Sequence, residues 1–184
     1  MKNFGFLLIV LFPLFTNAQQ ESFAIRAGGG YAHDFPGLNG YGGFAEVSKP
    51  LSEKLQGAIG VKINNLSGFP RTEEVNEFTK STSLDFSLYF LPFSNEINQV
   101  RLGAGYSFSF YKIRRSYPII TQENGAAKTT WPVKESKGRV SGLTLVAEYE
   151  YFVPETNFSL GLRGSLFKAY DHVLFAGGFV GFRF

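Results

Sequence analysis

Apolar and polar residues alternate with a period of two over much of the chain. In the final segment Leu174, Val180, Phe182 and Phe184 share one face, whereas Arg183 lies on the other. Successive side chains of a strand point to opposite sides, so this period predicts strands with one mostly apolar face. The pattern predicts eight strands, at about residues 22–32, 41–49, 54–64, 82–91, 99–111, 140–152, 158–168 and 173–184.

The connections between the predicted strands alternate in length. Three are short, at residues 50–53, 92–98 and 153–157, and a proline in each is expected to end a strand. Two are long, at about 65–81 and 112–139. Most predicted strands have about 10 to 13 residues, against the roughly 9 to 11 that cross a bilayer when tilted. Short turns on one side and longer loops on the other are typical of transmembrane β-barrels, and this places both termini in the periplasm.

The less apolar face of each strand distinguishes between kinds of barrel. A soluble lipocalin-like barrel also alternates, with its apolar residues inside. Here the second face is dominated by Gly, Ser and Ala with scattered charges, which suits the narrow interior of an eight-stranded barrel. Charges sealed inside must be paired, so we predict a network that fills the lumen. Its predicted members are Arg26, Glu46, Lys62, Asp85, Arg101, Glu148, Glu150, Arg163 and Arg183.

Aromatic residues make up 17% of the chain, and they are expected to form two belts on the outside of the barrel. The first belt, at the short-turn end, would contain Phe23, Phe90, Phe93, Tyr151, Phe158, Phe182 and Phe184. The second would contain Tyr31, Tyr41, Phe108 and Phe110. Strand parity turns five further phenylalanines inward, where they either plug the lumen or mark a bulge that shifts the register: Phe44, Phe152, Phe167, Phe175 and Phe179.

The first eighteen residues have the layout of a secretory signal peptide. Lys2 precedes an apolar run from Phe4 to Phe15, and small residues ending at Ala18 precede a polar segment. We expect cleavage after Ala18, which leaves residues 19–184 as one domain. No later stretch is long and apolar enough for a membrane helix. The chain has no cysteine, which excludes disulfides, and its net charge of +3 is too small to indicate nucleic acid.

Two His-Asp neighbours are the candidates for site chemistry. His33-Asp34 follows the first predicted strand and Asp171-His172 precedes the last, so both pairs would meet at the outer rim if the barrel closes. Two imidazoles and two carboxylates could bind a divalent metal, and a His-Asp pair with a serine could transfer acyl groups. Strand parity points both histidines outward with no serine predictably beside them, which favours ordinary rim polarity. We therefore predict no metal site and no catalytic residue.

The longest connection is basic and aromatic, and such a loop could hold lipopolysaccharide phosphates or an anionic glycan. The alternative is a solvated loop without a ligand. No glycine-rich phosphate loop, nucleophile elbow or zinc-binding helix motif occurs, so no cofactor is expected. The loop residues are Lys112, Arg114, Arg115, Lys128, Trp131, Lys134 and Lys137.

With its leader, eight alternating strands, loop asymmetry and final Phe184, the chain resembles the small, porin-like outer-membrane β-barrel family of bacteria. In that family the terminal aromatic belongs to the signal read by the insertion machinery, which implies this role for Phe182 and Phe184. The resemblance implies an integral, non-enzymatic outer-membrane barrel of structural or surface-interaction type, with a filled lumen and no open pore. Its expected partners are outer-membrane lipid and lipopolysaccharide, the barrel-insertion machinery and an extracellular or secretion-system protein. Two alternatives stay open: a lipid A acyl-modifying enzyme and a secreted soluble ligand-binding barrel.

Overall fold

The computed structural model of the protein describes residues 23–71, 75–123, 126–168 and 172–184. Within these ranges, no helix has the length and apolar character needed to cross a membrane. The predicted signal peptide, residues 1–18, lies outside the described residues. The strands are β1 (Ala24–Asp34), β2 (Asn39–Ser52), β3 (Leu55–Gly68), β4 (Glu77–Ser94), β5 (Asn98–Ser116), β6 (Ile119–Glu123), β7 (Ala126–Thr130), β8 (Val133–Phe152), β9 (Phe158–Lys168) and β10 (His172–Arg183).

Eight of these strands close a barrel, in the circular order β1, β2, β3, β4, β5, β8, β9 and β10. All neighbours are antiparallel, and β1 pairs with β10 from Ala24 opposite Arg183 to Asp34 opposite Val173. Strands β6 and β7 pair only with each other, as a separate hairpin. The predicted all-β, eight-stranded, up-and-down barrel is therefore confirmed. Closure pairs both edges of the sheet, so no edge strand is left open.

The long connections differ from the prediction. The expected loop 65–81 is reduced to residues 69–76, because β3 and β4 both extend into it. The expected loop 112–139 is wrong, since β5 and β8 stay paired up to Ser116 opposite Val133 and the β6–β7 hairpin lies between them. Polar residues lie on both faces of these extensions, so the alternation that identifies a strand fades while the backbone pairing continues.

Two of the prolines expected to end strands lie inside them instead. The register between β2 and β3 shifts just after Pro50, and the register between β4 and β5 shifts around Pro92. Proline has no N–H for the ladder, and a bulge is one of the few places where a strand tolerates it. The expected role as a strand end holds for Pro154, which lies in the turn between β8 and β9.

The apolar stripes of the strands face outward, and the charged and small residues face the lumen. Leu162 is 65% exposed and Leu143 is 60% exposed, whereas Arg101 is 0% exposed. The outward large side chains of the wall form a continuous apolar band between the two predicted aromatic belts. Its members include Ile59, Val61, Ile63, Leu88, Leu102, Leu143, Leu145, Leu160, Leu162, Leu174 and Val180.

The inward phenylalanines fill part of the lumen, which settles the question that strand parity left open. Ring centroids of Phe175 and Phe179 each lie 6.1 Å from that of Phe44, in edge-on geometries. The register of β10 against β1 and β9 is continuous, so Phe175 and Phe179 point inward by ordinary strand alternation and not because of a bulge. We call the whole group the phenylalanine plug; its buried members are Ala32, Leu38, Phe44, Leu66, Phe167, Val173, Phe175 and Phe179.

Glycine makes room for the plug at a point of close approach. Gly161 on β9 lies directly opposite Phe179 on β10, and a Cβ atom at Gly161 would lie 2.2 Å from Cζ of that ring. Such a contact is far shorter than any van der Waals separation, so a larger residue at this position must displace the ring. The absence of a side chain at Gly161 is therefore a packing requirement of the plug.

Gly161→Val is expected to lower the free energy of unfolding by about 1–3 kcal/mol, because it overpacks the lumen although valine favours strands. Gly164→Val on the same strand is the matched control, since a Cβ atom there meets nothing within 4 Å. This control should change the free energy of unfolding by less than about 0.5 kcal/mol. Urea unfolding of the barrel in detergent micelles measures both, and equal losses would contradict the packing argument.

Candidate functional site

A ring of four charged side chains crosses the lumen. Arg101 Nη2 lies 2.8 Å from Glu46 Oε1, and Arg163 Nη1 lies 3.1 Å from Glu46 Oε2. On the other side Arg163 Nη1 lies 3.0 Å from Glu148 Oε1, and Arg101 donates hydrogen bonds to the same carboxylate. Glu148 lies opposite Arg101 on β5 and opposite Arg163 on β9, so the register itself brings three of the four together. We call Arg101, Glu148, Arg163 and Glu46 the charge ring.

Aromatic side chains complete the surroundings of the charge ring. The Tyr89 hydroxyl donates a hydrogen bond of 2.7 Å to Glu46 Oε2, and the Arg101 guanidinium lies 4.2 Å from the Tyr89 ring centroid. The Arg163 guanidinium lies 4.0 Å from the centroid of Phe44. Cations over aromatic faces gain electrostatic attraction where water is excluded. Through Phe44 the charge ring is therefore continuous with the phenylalanine plug.

Two further ion pairs lie beside the charge ring. Arg26 Nη2 lies 2.8 Å from Glu150 Oε2, and the Ser159 hydroxyl donates a hydrogen bond of 2.6 Å to Glu150 Oε1. Lys62 Nζ lies 3.4 Å from Asp85 Oδ2. The cation and the carboxylate of each pair are almost completely buried. The Arg26–Glu150 pair connects β1 with β8 across the lumen, whereas the Lys62–Asp85 pair connects the neighbouring strands β3 and β4.

The structure brings eight of the nine predicted lumen charges into ion pairs. Four cations meet four carboxylates, so these eight sum to zero charge. The ninth, Arg183, is half-buried, and its guanidinium lies 3.2 Å from the centroid of the inward-facing Phe152 ring. An isolated buried charge costs several kcal/mol, so neutral, hydrogen-bonded grouping is what permits ionic side chains in a narrow lumen. The chemistry of this arrangement is cross-strand attachment and filling of space.

A second polar cluster closes the lumen at the end opposite the short turns. Arg115 Nη2 donates a hydrogen bond of 2.9 Å to Asp34 Oδ2, and Arg115 Nη1 lies 3.7 Å from Glu77 Oε2. The Ser116 backbone N–H and hydroxyl both donate to Glu77 Oε1, at 3.2 and 2.5 Å. Arg71 Nη1 donates to the Ser116 carbonyl at 2.5 Å. We call Asp34, Arg71, Glu77, Arg115 and Ser116 the outer seal; both of its carboxylates are 0% exposed.

The outer seal does not follow from the predicted strand ends, although strand parity contains its signal. With those ends, Asp34 is expected in a candidate metal site, Arg115 in a basic surface loop, and Glu77 in a loop without a role. All three continue the inward parity of β1, β4 and β5 beyond the strand ends that the pattern predicts. Extending the parity count by a few residues at each outer end identifies all three.

The candidate His-Asp group is not brought together as one set of ligands. The side chain of Asp34 points inward and accepts hydrogen bonds from Arg115 and from the Leu38 N–H. On the same strand the His33 ring contacts Asn39, with Nδ1 2.8 Å from Oδ1. Asp171 lies outside the described residues. Among the residues that are described, no three His, Asp or Glu side chains are grouped so that they could hold a metal.

Six of the seven residues of the predicted basic loop lie on paired strands or on the hairpin, and Trp131 lies between them. Arg115 points into the outer seal, and Lys112 Nζ lies 3.2 Å from Glu135 Oε2. The remaining members are dispersed: Arg114 is half-buried on β5, Lys128 is exposed on β7, Trp131 precedes β8, and Lys134 and Lys137 are exposed on β8.

The predicted insertion-signal residues lie in an aromatic cluster at the short-turn end. The Phe184 ring stacks on Phe23 with centroids 4.4 Å apart, and Phe182 lies 4.7 Å from Phe184 and 5.0 Å from Phe158. The cluster joins the first and last described strands to β9. Recognition of Phe182 and Phe184 by an insertion machinery stays a prediction.

Arg101→Met is expected to lower the free energy of unfolding by about 3–5 kcal/mol, because it leaves buried carboxylates without their cation. The double variant Arg101→Met, Glu148→Met removes one charge of each sign. Its free energy of unfolding should fall by less than that of the single variant. Lys54→Met, in the exposed turn between β2 and β3, is the control for loss of a positive charge and should have little effect. Denaturant unfolding in micelles measures all three; a single variant no less stable than the control would contradict the role of the charge ring.

Comparison with solved structures identifies proteins of similar architecture. The chain aligns with a major outer membrane protein of Thermus thermophilus at a TM-score of 0.60 and 15% identity, over 90% of this chain and 100% of that chain. Neisserial surface protein A aligns at 0.55 and 14% identity, over 89% and 96%. The attachment invasion locus protein Ail of Yersinia pestis aligns at 0.54 and 12% identity, over 90% and 100%.

Comparisons of sequence give a different result. No protein-family model matches the chain, and no curated protein matches it. At 12% to 15% identity the solved structures show the fold and do not transfer an activity. The chain has the fold of the eight-stranded outer-membrane β-barrels of bacteria.

Proposed function

We propose that this chain is an integral protein of the bacterial outer membrane, of structural or surface-interaction type, with a closed lumen and no catalytic site. The observation that carries the proposal is the direction of the side chains. Leucine, isoleucine and valine cover the outside of the wall, whereas Arg26 and Arg101 are 1% and 0% exposed inside it. A soluble ligand-binding barrel needs the opposite arrangement, with an apolar interior and a polar exterior.

The height of the apolar band suits a bilayer. On β5 the outward side chains are aromatic or aliphatic from Val100 to Phe110, and Lys112 follows on the same face. At about 3.4 Å per residue and a tilt of roughly 45°, this segment spans about 24 Å along the barrel axis. An apolar band about 25 Å tall is characteristic of outer-membrane barrels. The change from Phe110 to Lys112 would then mark the outer membrane surface.

We place the short turns and both ends of the barrel in the periplasm. The turns β2–β3, β4–β5 and β8–β9 are short, and Phe23 and Phe184 lie at the same end as these turns. The extended ends of β4, β5 and β8 and the β6–β7 hairpin would then project from the cell. Aromatic Phe182 and Phe184, at the end of the closing strand, are the residues that we expect the insertion machinery to read.

The extended ends of β4, β5 and β8 are the part of the chain suited to an extracellular partner. It presents exposed basic residues, among them Lys134 and Lys137, on strands held above the apolar band. Ail, the similar attachment protein, has been crystallised with the heparin analogue sucrose octasulfate, at a TM-score of 0.53 to this chain. A role in surface interaction would use the same exposed end of the fold here.

Membrane integration is tested by fractionation of cells that express the full chain. The protein is expected in the outer-membrane fraction and to migrate differently on a gel before and after heating, because a folded barrel resists detergent unfolding. Recovery in the periplasmic or medium fraction, with no heat-dependent mobility, would contradict the proposal.

Closure of the lumen is tested by conductance in planar lipid bilayers. The wild-type barrel is expected to show no steady conductance, because side chains fill an eight-stranded lumen. Arg115→Ala removes ion pairs of the outer seal. Its lumen is also expected to stay closed to ions, because the charge ring and the phenylalanine plug still fill the barrel below the seal. Steady single-channel steps from the wild-type protein would show that the lumen is a pore.

A further inference from the structure

Three lysines form a row across the outside of the barrel. In the register of β4, β5 and β8, Lys80 lies directly opposite Lys112, and Lys112 lies directly opposite Lys137. All three side chains lie on the outer face of the wall. Each is two residues nearer the outer end of its strand than Thr82, Phe110 or Arg139, respectively. We call Lys80, Lys112 and Lys137 the lysine row.

Three like charges side by side on one face of a sheet oppose folding, because directly opposite like charges repel. Lys112 has a carboxylate partner, Glu135, at 3.2 Å. Among the described side chains, Lys80 and Lys137 form no ion pair, and Lys80 contacts the ring of Phe78 with its Nζ 5.8 Å from the centroid. One carboxylate against three ammonium groups leaves an excess positive charge that a bound anion would offset.

The lysine row borders a groove on the outer wall. The groove has a volume of about 420 Å³, and its remaining walls include the aromatic rings of Tyr41 and Phe110 and the amide of Asn65. The Asn65 amide donates a hydrogen bond of 2.6 Å to the Tyr41 hydroxyl, which fixes that wall. Directly below, Arg139 lies over the Phe110 ring, with its guanidinium carbon 5.3 Å from the centroid.

The position of the groove selects the class of ligand. It lies where the apolar band ends, with Ile63 and Phe110 at its lower border and ammonium groups at its upper border. A ligand that fits both borders carries phosphate above and acyl chains below. A soluble polyanion would make no favourable contact with the apolar lower border. A neutral lipid would leave the lysine charges without a counterion.

We propose that this groove binds the phosphorylated headgroup of an outer-leaflet glycolipid, with phosphate between the lysines of the lysine row and acyl chains along the band below. This inference rests on the proposed membrane location and names the lipid partner of that surface. Lysine ammonium groups act as compact point charges with several donors, which suits a phosphate that approaches from the side.

The experiment compares three forms of the full chain in phosphatidylcholine nanodiscs that contain a diphosphorylated lipid A or its dephosphorylated form. The test variant is Lys80→Gln, Lys112→Gln, Lys137→Gln. The matched control is Lys49→Gln, Lys54→Gln, Lys168→Gln, which removes the same charge from positions outside the groove. Native mass spectrometry counts the glycolipid retained by each barrel, and heat-dependent gel mobility verifies that each variant is folded.

Wild type and control should retain the phosphorylated lipid, and the test variant should bind it about tenfold to a hundredfold more weakly, because it lacks the three ammonium groups that offset the phosphate charge. The dephosphorylated lipid should bind all three forms equally weakly. Equal retention by the folded test variant and the control would overturn the site. So would full displacement of the lipid by millimolar inorganic phosphate, which would identify a free-phosphate site. If the wild-type chain does not enter nanodiscs, the result contradicts the proposed membrane location and not only the glycolipid site.

Discussion

The charge ring is the interaction on which the rest of the structure depends. An eight-stranded barrel has a lumen just wide enough for side chains, so charges that fill it must be paired with charges of opposite sign. Alternating Arg101, Glu148, Arg163 and Glu46 meets that condition and connects β2 with β5, β8 and β9 across the axis. Because opposite charges pair inside the lumen, the outer wall can present the apolar band.

Strand parity predicts much of this from the sequence. It identifies the eight barrel strands, the inward charges and the inward phenylalanines, because each depends only on the direction of successive side chains. It cannot predict which charges meet. Glu148 contacts Arg101 and Arg163 through the register of neighbouring strands, whereas Glu46 meets Arg101 across the lumen and depends on how the barrel closes. Register and closure are properties of the whole sheet.

The sequence is least informative where the surroundings of a strand become uniform. Above the apolar band polar residues lie on both faces of β4, β5 and β8, so alternation no longer indicates a strand there. The sequence pattern then predicts loops and a candidate metal site where the structure has the outer seal. The prolines at Pro50 and Pro92 mislead for a different reason, because a bulge accommodates them without ending the strand. Backbone pairing continues in both situations without a clear signal in the side chains.

The β6–β7 hairpin beyond the outer seal bears on how this protein can evolve. Main-chain pairing holds its two strands together, from Ile119 opposite Thr130 to Glu123 opposite Ala126, and this pairing is indifferent to the side chains that the strands carry. The exposed residues of the hairpin are therefore released from the packing rules that govern the interior. Substitutions can accumulate in the hairpin while the barrel below keeps its sequence.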